Sequence, residues 1–319
     1  VFLLMLTYVL YFIQVMIMPN YVFKEITCVN ACNKVKGGFP YRWDLNVYRG
    51  CEHGCKYCFA MYTHKYMESH DFFNEIYVKI NIVEQLEKLL RSKSWKGEAV
   101  NLGGVTDSYQ PAEEKYKIMP EIWKVLIKYK NPCIISTKSD LILRDFDLIE
   151  QLSDITYVNV ASTITCIDED IRRKIEPGGV SSERRFKMLE AFRETKASTG
   201  LHIMPIIPYI TDTRRNLEGL FARGKEVGVD YAITETLNLR GETKNVFLSF
   251  VREEYPQYYN ALCSMYKTGW AGKEYKMELL KMVRPLMKEY GISSSYTRPM
   301  KTRLKEISGP EYSQISLFD

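Results

Sequence analysis

The chain has 319 residues, of which 46% are hydrophobic and 26% charged, a composition typical of a globular protein with a sizeable core. Its formal net charge of +5 permits binding to phosphate-rich partners, but it is below the charge density that would require such a partner. Eight cysteines at irregular spacing in a chain of this size exclude a small secreted disulfide framework and favour a reducing, cytoplasmic location.

The chain opens with residues 1–18, which are apolar except for Thr7 and Gln14. This length reaches the lower limit for a membrane-spanning helix. The segment has no charged start and no small-residue cleavage site, so we do not expect a cleavable signal peptide. Three interpretations remain open: a membrane anchor, a buried or interfacial helix, or translated upstream sequence with the functional start at or near Met18. Residues 19–43 follow as an N-terminal extension.

From residue 44 onward, β-rich runs alternate with segments whose apolar residues recur every three or four positions. Each run with its following segment predicts a βα unit, so the fold class is α/β, a partial (β/α)6 TIM-like barrel over residues 44–243. Such a barrel places its active site at the C-terminal ends of the strands. The predicted strands are Asp44–Tyr48, Glu98–Leu102, Cys133–Thr137, Thr156–Ser162, Leu201–Ile206 and Asp230–Thr236, and the helices between them are centred near Leu86, Leu126, Ile149, Leu189 and Leu220.

Beyond the predicted barrel the pattern becomes mostly helical. Ala261–Tyr266 and Glu274–Tyr290 are its clearest helical pieces. We therefore predict a helical C-terminal region over residues 244–308 and a separate tail over residues 309–319.

Three cysteines lie close together just after the first predicted strand, where Cys51, Cys55 and Cys58 have the spacing CxxxCxxC. A closed structural metal site normally needs four protein ligands. Three thiolates on one loop suit three irons of a 4Fe–4S cube and leave the fourth iron open for a substrate or cofactor.

Two other interpretations of the cysteines remain. Cys28 and Cys32 lie upstream and His53 lies inside the loop, so a zinc site that pairs these with two loop cysteines is one alternative. Three inert buried thiols are the other, although the glycines and charges of the loop disfavour them.

The loop resembles the radical S-adenosylmethionine (radical SAM) superfamily, in which CxxxCxxC carries an aromatic residue, here Tyr57, before its last cysteine. The resemblance implies a barrel of the radical SAM type, a 4Fe–4S cluster on the three cysteines, and SAM bound to the open iron. It also implies reductive cleavage of SAM to a 5′-deoxyadenosyl radical and an external electron donor of the flavodoxin or ferredoxin type.

A narrower resemblance, to the spore photoproduct lyase-related group of that superfamily, covers most of residues 26–240. It is carried by the run NVYRGCEHGCKYCFA, by TDSYQP from Thr106, by IEPGG from Ile175 and by IIPYITD from Ile206. This likeness implies a DNA lesion as the substrate and a carbon–carbon lyase as the enzyme type.

The same resemblance implies residues that contact SAM. Gly103 and Gly104 follow the second predicted strand, where the superfamily usually has Gly-Gly-Glu; the third position here is Val105, so Thr106 or Asp107 would accept the hydrogen bond of the SAM amino group. Further expected contacts with SAM are Ser162 and Thr163 at the fourth strand, Arg184 or Arg185 at the carboxylate, and Ile206 and Ile207 at the adenine.

Other residues near the predicted strand ends are candidates for the substrate cavity. Asp212, Glu235 and Arg240 would line it. Cys166, which follows the fourth strand, is the candidate hydrogen donor to a substrate radical, because spore photoproduct lyase uses a cysteine for that step.

The tail ends in QISLFD and resembles the short peptide by which bacterial DNA repair and replication proteins dock on the sliding clamp. Leu317 and Phe318 would anchor such a peptide and Gln314 would supply hydrogen bonds. The alternative is a tail that folds back on the barrel. The basic residues Arg298, Lys301, Arg303 and Lys305 precede this tail.

Three functions are therefore compared. The first is a radical SAM enzyme that repairs a DNA lesion. The second is a radical SAM enzyme that acts on a peptide, an RNA or a small molecule, and the third is a zinc-stabilised binding module without catalytic activity.

Overall fold

The structure is a computed structural model that describes residues 21–37, 41–67 and 71–308. None of the helices within these ranges is long and apolar enough to cross a membrane. The apolar segment over residues 1–18 and the tail over residues 309–319 lie outside the described residues, so the interpretations given for them stay predictions.

The barrel is built from one sheet of seven strands in the order β10-β9-β8-β7-β6-β3-β2, in which all neighbours except β2 and β3 run parallel. The predicted α/β fold with a parallel sheet and covering helices is confirmed. Across the described residues the strands are β1 (Val22–Ile26), β2 (Cys32–Lys34), β3 (Trp43–Leu45), β4 (Tyr48–Arg49), β5 (Glu75–Lys79), β6 (Val100–Leu102), β7 (Cys133–Thr137), β8 (Val158–Thr163), β9 (Ser198–Ile206) and β10 (Tyr231–Thr236).

Helices follow the strands of this sheet and continue to the end of the described chain. Short 3-10 helices span Phe59–Tyr66 and Asp140–Asp145. The α-helices are α1 (Ile82–Leu90), α2 (Ala112–Tyr116), α3 (Met119–Tyr129), α4 (Phe146–Ile155), α5 (Glu169–Ile175), α6 (Ser182–Phe192), α7 (Arg214–Glu226), α8 (Glu242–Glu254), α9 (Pro256–Met265), α10 (Lys273–Glu289) and α11 (Thr297–Ser308).

The two faces of the sheet differ in polarity, because side chains alternate along each strand. Val100, Ile135 and Val160 belong to the large apolar core shared with the helices. The opposite face encloses the barrel interior and is polar at its paired positions, where Asp44 lies beside Asn101. The interior face of the sheet is therefore polar on the side of the barrel where the sequence predicts the active site.

The N-terminal extension contains structure that the sequence did not predict. Strand β1 pairs with β5, and β5 pairs with β4, in a second sheet of three strands. The first predicted strand, Asp44–Tyr48, is in fact divided: β3 belongs to the barrel sheet and β4 to the small sheet. The cysteines thus leave from the small sheet, immediately beside the barrel.

The C-terminal helices cover the two ends of the barrel. Helices α8 and α9 contribute Phe247 and Leu262 to an apolar cluster that contains Cys55 and Tyr57. Helix α11 instead buries Met300 against residues that precede β6 and β8. The cysteines and the basic helix α11 are therefore at opposite ends of the barrel strands.

Candidate active site

The cysteine loop, residues 50–58, lies at the C-terminal end of the barrel strands. Cys51 and Cys55 are buried, Cys58 is half-buried, and all three are free thiols. Burial raises the pKa of each thiol, that of Cys55 to about 12. The thiols are therefore protonated at neutral pH and give up their protons when they bind a metal.

The TDSYQP segment holds one side of this loop. The Gln110 side chain accepts a hydrogen bond from Glu52 N at 2.9 Å and donates one to Gly50 O at 3.3 Å. The Thr106 hydroxyl also donates to Gly50 O, at 2.6 Å, and the Glu52 carboxylate accepts from Ala112 N at 2.6 Å. The segment that carries the family resemblance thus binds the backbone at the start of the cysteine loop.

The IEPGG segment holds the other side. Ile175 O accepts a hydrogen bond from Lys56 N at 2.9 Å, and Gly178 N donates one to His53 O at 2.9 Å. A Cβ atom at Gly178 would lie 2.4 Å from Glu52 O and 2.8 Å from His53 Cα. Only glycine permits this close approach of two backbones.

His53 joins the loop to both segments. Its Nδ1 atom lies 3.0 Å from Gly178 O and its Nε2 atom lies 3.0 Å from an Asp107 carboxylate oxygen. His53 therefore contacts both segments that flank the loop.

Asp107 has no oxygen to spare for SAM, which corrects one expectation from the sequence. It accepts from Thr137 Oγ1 at 2.7 Å, from Tyr109 N at 2.9 Å and from Lys138 N at 2.8 Å, in addition to facing His53. Burial raises the pKa of Asp107, but the charge of His53 and these hydrogen bonds outweigh it and hold the pKa below its usual range. Asp107 therefore positions the loop.

A buried group of charged residues lies beneath Tyr57. The Tyr57 hydroxyl donates to the Glu176 carboxylate, which also pairs with Arg185 and accepts from Thr165 at 3.1 Å. Burial raises the pKa of Glu176, but the charges of Arg185 and Lys138 lower it by more. The Lys138 Nζ atom lies 5.8 Å from the centre of the Tyr57 ring.

Lys138 is a candidate cofactor-binding residue that the sequence reasoning missed. It is the first residue after β7, and among the described residues its ammonium group has no carboxylate within ion-pair distance. Glu176 already pairs with Arg185, so Lys138 adds a positive charge next to Cys55 and can face the SAM carboxylate. Its position directly after a strand was the available signal.

The Gly103–Gly104 turn is held by two residues that the sequence also missed. Gly104 N donates to the Asp44 carboxylate at 3.0 Å, and Val105 N donates to Asn46 Oδ1 at 2.9 Å. Gly103 has φ +90°, and a Cβ at Gly104 would lie 2.4 Å from the Asp44 carboxylate. The turn therefore needs both glycines and presents bare backbone to the interior.

The two predicted site residues of strand β8 lie on opposite faces of the sheet. Ser162 is paired with Leu201 and lies on the face that packs against the helices, and its hydroxyl donates to Thr137 O at 2.7 Å. The prediction that Ser162 contacts SAM is therefore wrong, because successive residues of a strand point to opposite faces. Thr163 faces the interior, beside His202, and stays a candidate.

The two predicted arginines also differ. Arg184 is exposed and forms an ion pair with Asp140 on the surface, at 2.5 Å, so the structure does not place it at the site. Arg185 is fully buried, donates to Val180 O and Thr163 O, and has one guanidinium nitrogen, Nη2, without a hydrogen-bond partner among the described residues. Only Arg185 fits a role near the cofactor.

Two further expectations change. Ile206 packs in the main core, whereas Ile207 belongs to the apolar cluster of Cys55 and Tyr57. The Cys166 thiol hydrogen-bonds both backbone groups of Asp168, and burial raises its pKa to about 12. These contacts are those of a structural thiol, so the structure does not support Cys166 as the hydrogen donor.

A polar chain lines the interior and was not predicted. The Tyr231 hydroxyl donates to Asn159 Oδ1 at 2.9 Å and lies 3.3 Å from His202 Nε2, while Ser136 Oγ lies 3.2 Å from His202 Nδ1. Burial lowers the pKa of His202 to about 4, so the ring is neutral at physiological pH. This chain of four side chains, which forms the floor of the interior, is therefore polar but uncharged.

The residues present fit a 4Fe–4S cluster better than a zinc ion. Among the described residues, no three His, Cys, Asp or Glu side chains are arranged to ligate one metal ion. A cube spreads its three cysteine ligands over three irons and so needs wider spacing. Burial raises the pKa values of Cys28 and Cys32, and the charge of the nearby Lys79 lowers them.

Comparisons with known proteins agree with this geometry. A family model described as the radical SAM superfamily matches residues 45–218. A Mycobacterium tuberculosis protein, named as uncharacterized, is 32% identical over 280 residues, which cover 86% of this chain and 82% of that protein. An uncharacterized protein of Methanocaldococcus jannaschii is 30% identical over 243 residues, which cover 76% of this chain and 86% of that protein.

Among solved structures, the chain is similar to a spore photoproduct lyase variant with bound AdoMet and dinucleoside spore photoproduct. The TM-score is 0.66 at 15% identity, and the match covers 86% of this chain and 82% of that chain. At this identity the likeness shows a shared fold. The match to the family model over more than half of the chain shows that the chain belongs to the radical SAM superfamily, whose members use a 4Fe–4S cluster and SAM.

Proposed function

We propose that Cys51, Cys55 and Cys58 hold the 4Fe–4S cluster and that the protein uses SAM to abstract hydrogen from a damaged nucleobase in DNA. The observation that carries the proposal is the double support of the cysteine loop by the TDSYQP and IEPGG segments next to a polar barrel interior. When bound, the reduced cluster supplies the electron that cleaves SAM to a 5′-deoxyadenosyl radical.

The chain's own residues would bind and orient SAM. The bare backbone at Gly103 and Gly104 admits the methionine amino group, with Thr106 next to it. Lys138 and the unpartnered nitrogen of Arg185 supply positive charge for the carboxylate. Thr163 faces the interior and offers a hydroxyl, while Ile207 and Tyr57 supply apolar surface beside the cysteines.

A DNA lesion is the proposed substrate because two independent features agree. The fold is similar to that of a spore photoproduct lyase with a bound dinucleoside lesion, and the floor of the interior is polar and uncharged. Neutral hydrogen-bonding groups suit a nucleobase, which carries donors and acceptors but no charge. A carbon–carbon lyase reaction on ultraviolet photoproducts is the specific form of this proposal; a peptide, RNA or small-molecule substrate is the alternative.

The test is anaerobic turnover of ultraviolet-irradiated DNA with SAM and a reductant. We expect the wild-type protein to release 5′-deoxyadenosine and to lower the photoproduct content of the DNA. Cys58→Ala should abolish both, because one iron loses its ligand. Cys263→Ala, which removes a half-buried thiol from α9, is the matched control and should keep both.

Two outcomes would contradict different parts of the proposal. Undiminished 5′-deoxyadenosine release by Cys58→Ala would contradict the cluster ligands. Release of 5′-deoxyadenosine without loss of any photoproduct would contradict the DNA substrate and leave the radical chemistry standing.

Three partners belong to this proposal. Radical SAM enzymes need an external electron donor, and we propose a flavodoxin or ferredoxin type. DNA is the second partner. The third is the bacterial sliding clamp, which would bind Gln314, Leu317 and Phe318 in the tail outside the described residues.

A further inference from the structure

Exposed aromatic side chains gather at one end of the barrel. In the described ranges, the five aromatic side chains that stand out as exposed have between 41% and 69% of their surface accessible. Three lie on the 3-10 helix that follows the cysteine loop, and two lie on, or pair with, segments that follow β9 and β10. They are Phe59, Tyr62, Tyr66, Tyr209 and Trp270.

The first group lies on the 3-10 helix that begins directly after Cys58. Residues three apart align in a 3-10 helix, so Phe59, Tyr62 and Lys65 form one exposed row. The Lys65 ammonium lies 4.7 Å from the centre of the Tyr66 ring. The opposite side of this helix buries Ala60 and Met61 in the apolar cluster of Cys51. The exposed row is thus fixed to the cysteine loop.

The second group surrounds the loops after β9 and β10. Tyr209 stacks on Tyr258 with ring centres 5.4 Å apart and an angle of 16° between the rings. The Arg240 guanidinium lies 4.3 Å from the centre of the Trp270 ring. A backbone bridge between Asn238 and Trp270 ties this second pair to the end of β10.

The backbone of Tyr209 is strained in order to hold its ring there. Its φ is +65°, in the left-handed region that bulky residues rarely adopt. The turn is fixed by hydrogen bonds from Ile210 N and Thr211 N to Ile207 O and from Ile207 N to the Thr211 hydroxyl. Strain maintained by surrounding hydrogen bonds is typical of functional sites.

We propose that these aromatic residues form a rim that binds the unpaired DNA strand next to the reacting nucleotide. The proposal rests on the proposed function, because it concerns the same active site. Flat aromatic faces with a lysine and an arginine beside them match the alternation of bases and phosphates along a single strand. Of the carboxylates near the second group, Glu235 pairs with Lys276 at 2.8 Å and Asp212 accepts a hydrogen bond from Tyr275 at 2.9 Å.

A single strand fits this rim better than a duplex. Bases can stack on protein rings only after they have left the base stack of the duplex. The rim has two groups of rings, one on the 3-10 helix after Cys58 and one around the loops after β9 and β10, so more than one base of a strand can stack on it.

The experiment measures binding of a fluorescein-labelled thymidylate 15-mer to the cluster-loaded protein, by anisotropy and without reductant. We expect the single strand to bind more tightly than the same oligonucleotide in a duplex. Tyr209→Ala and Trp270→Ala should each weaken binding about tenfold, whereas Tyr209→Phe keeps the ring and should bind like the wild type. Met277→Ala, at an exposed position on α10, should bind unchanged.

Several results would overturn the proposal. Equal binding by the wild type and both alanine variants would do so, as would tighter binding of the uridylate 15-mer. The proposal would also fail if no oligonucleotide bound and a flavodoxin reduced the cluster more slowly in the alanine variants. That result would show that the rim binds the electron donor. Binding by the wild type without repair of irradiated DNA would contradict the proposed function and support the rim.

Discussion

Single residues at the cysteine loop act mainly by allowing close contact between backbones. At Gly178 the backbone of the IEPGG segment touches the backbone of the loop with no space for a side chain, and at Gly104 the backbone touches the Asp44 carboxylate in the same way. The shape of the loop therefore depends on these glycines, which have no side chain, as much as on hydrogen bonds. Because three irons must meet three sulfurs at set positions, a small displacement of this loop should matter more for cluster binding than for folding.

Gly178→Ala tests this dependence. The added methyl would lie 2.4 Å from Glu52 O, so the loop must shift, and we expect a loss of about 1–3 kcal/mol in the free energy of unfolding. We expect a larger relative loss of iron per chain after anaerobic reconstitution. Iron and sulfide content and the urea midpoint are the measurements.

Gly219→Ala is the matched control for this variant. Its added methyl would also approach another atom at 2.4 Å, but that atom is the end of the exposed Ile167 side chain, which can move away. We expect normal iron content in this control. Full iron content in Gly178→Ala would show that the segment does not set the shape of the loop.

The sequence predicts the residues that carry the chemistry better than those that position them. The spacing of the three cysteines is a local pattern, so it is visible in the sequence alone. Asp44 supports Gly104 from 60 positions away, and Lys138 contacts Tyr57 from the end of β7, so the partner of each residue has no local signal in the sequence. Ser162 and Thr163 illustrate a second kind of error. The sequence predicts where the strand ends, but it does not predict which face of the sheet each residue occupies.

At the scale of elements, the barrel interior is joined across four strands by one polar chain. Ser136 on β7, His202 on β9, Tyr231 on β10 and Asn159 on β8 form it. Gly200 makes space for the phenol, since a Cβ there would lie 2.4 Å from the Tyr231 hydroxyl. Buried polar groups stabilise the fold only while each keeps its hydrogen-bond partner. Protonation of the His202 ring should therefore affect the stability of the sheet.

His202 should make stability depend on pH. Burial lowers its pKa from 6.5 to about 4, so below pH 6.5 the unfolded chain binds a proton that the folded protein does not. The contribution of His202 to the free energy of unfolding should therefore have its full value above pH 6.5. It should fall by about 3 kcal/mol as the pH decreases to about 4. His202→Gln should remove this part of the decrease, measured by urea unfolding at pH 7 and pH 5.

Ser136→Ala is the control for this variant, because it removes a hydrogen-bond partner and keeps the titrating ring. We expect it to lower stability at both pH values and to retain the decrease between them. His64, whose pKa burial also lowers, is present in all three proteins and cancels in the comparison. An unchanged pH dependence in His202→Gln would refute the assignment of the decrease to this residue.

The sequence predicts elements well where strands and helices alternate regularly. Strand β7 has the predicted bounds, and β6, β8, β9 and β10 lie within three residues of theirs. The small sheet of β1, β5 and β4 was missed because its strands are two to five residues long and pair across long sequence separations. Pairing between distant short segments depends on the assembled barrel, which local periodicity does not describe.

At the scale of the whole molecule, the two ends of the barrel have different surfaces. The mouth carries the cysteine loop and the aromatic rim. The opposite end is closed by α11, which buries Met300, and Arg303 of this helix donates to Ser153 O and Asp154 O at the end of α4. Part of the basic run that precedes the tail therefore holds the fold together, at the end away from the mouth.

The predicted binding of the tail to the sliding clamp can be tested separately from the reaction at the mouth. If Gln314, Leu317 and Phe318 bind the sliding clamp, a protein lacking residues 314–319 should lose that binding. Surface plasmon resonance with the immobilised clamp measures it. We expect at least a tenfold weaker affinity for Phe318→Ala, because a buried aromatic anchor dominates such peptides, and no change for Ser313→Ala, which precedes the motif.

The truncated protein should keep SAM cleavage, because the helix before the tail lies at the end of the barrel opposite the cysteines. A bound clamp would then leave the mouth open to DNA, so recruitment and reaction can take place at once. Equal clamp binding by the full chain and the truncated protein would remove the recruitment hypothesis. Loss of SAM cleavage on truncation would instead show that the tail reaches the active site, as in the alternative of a tail folded back on the barrel.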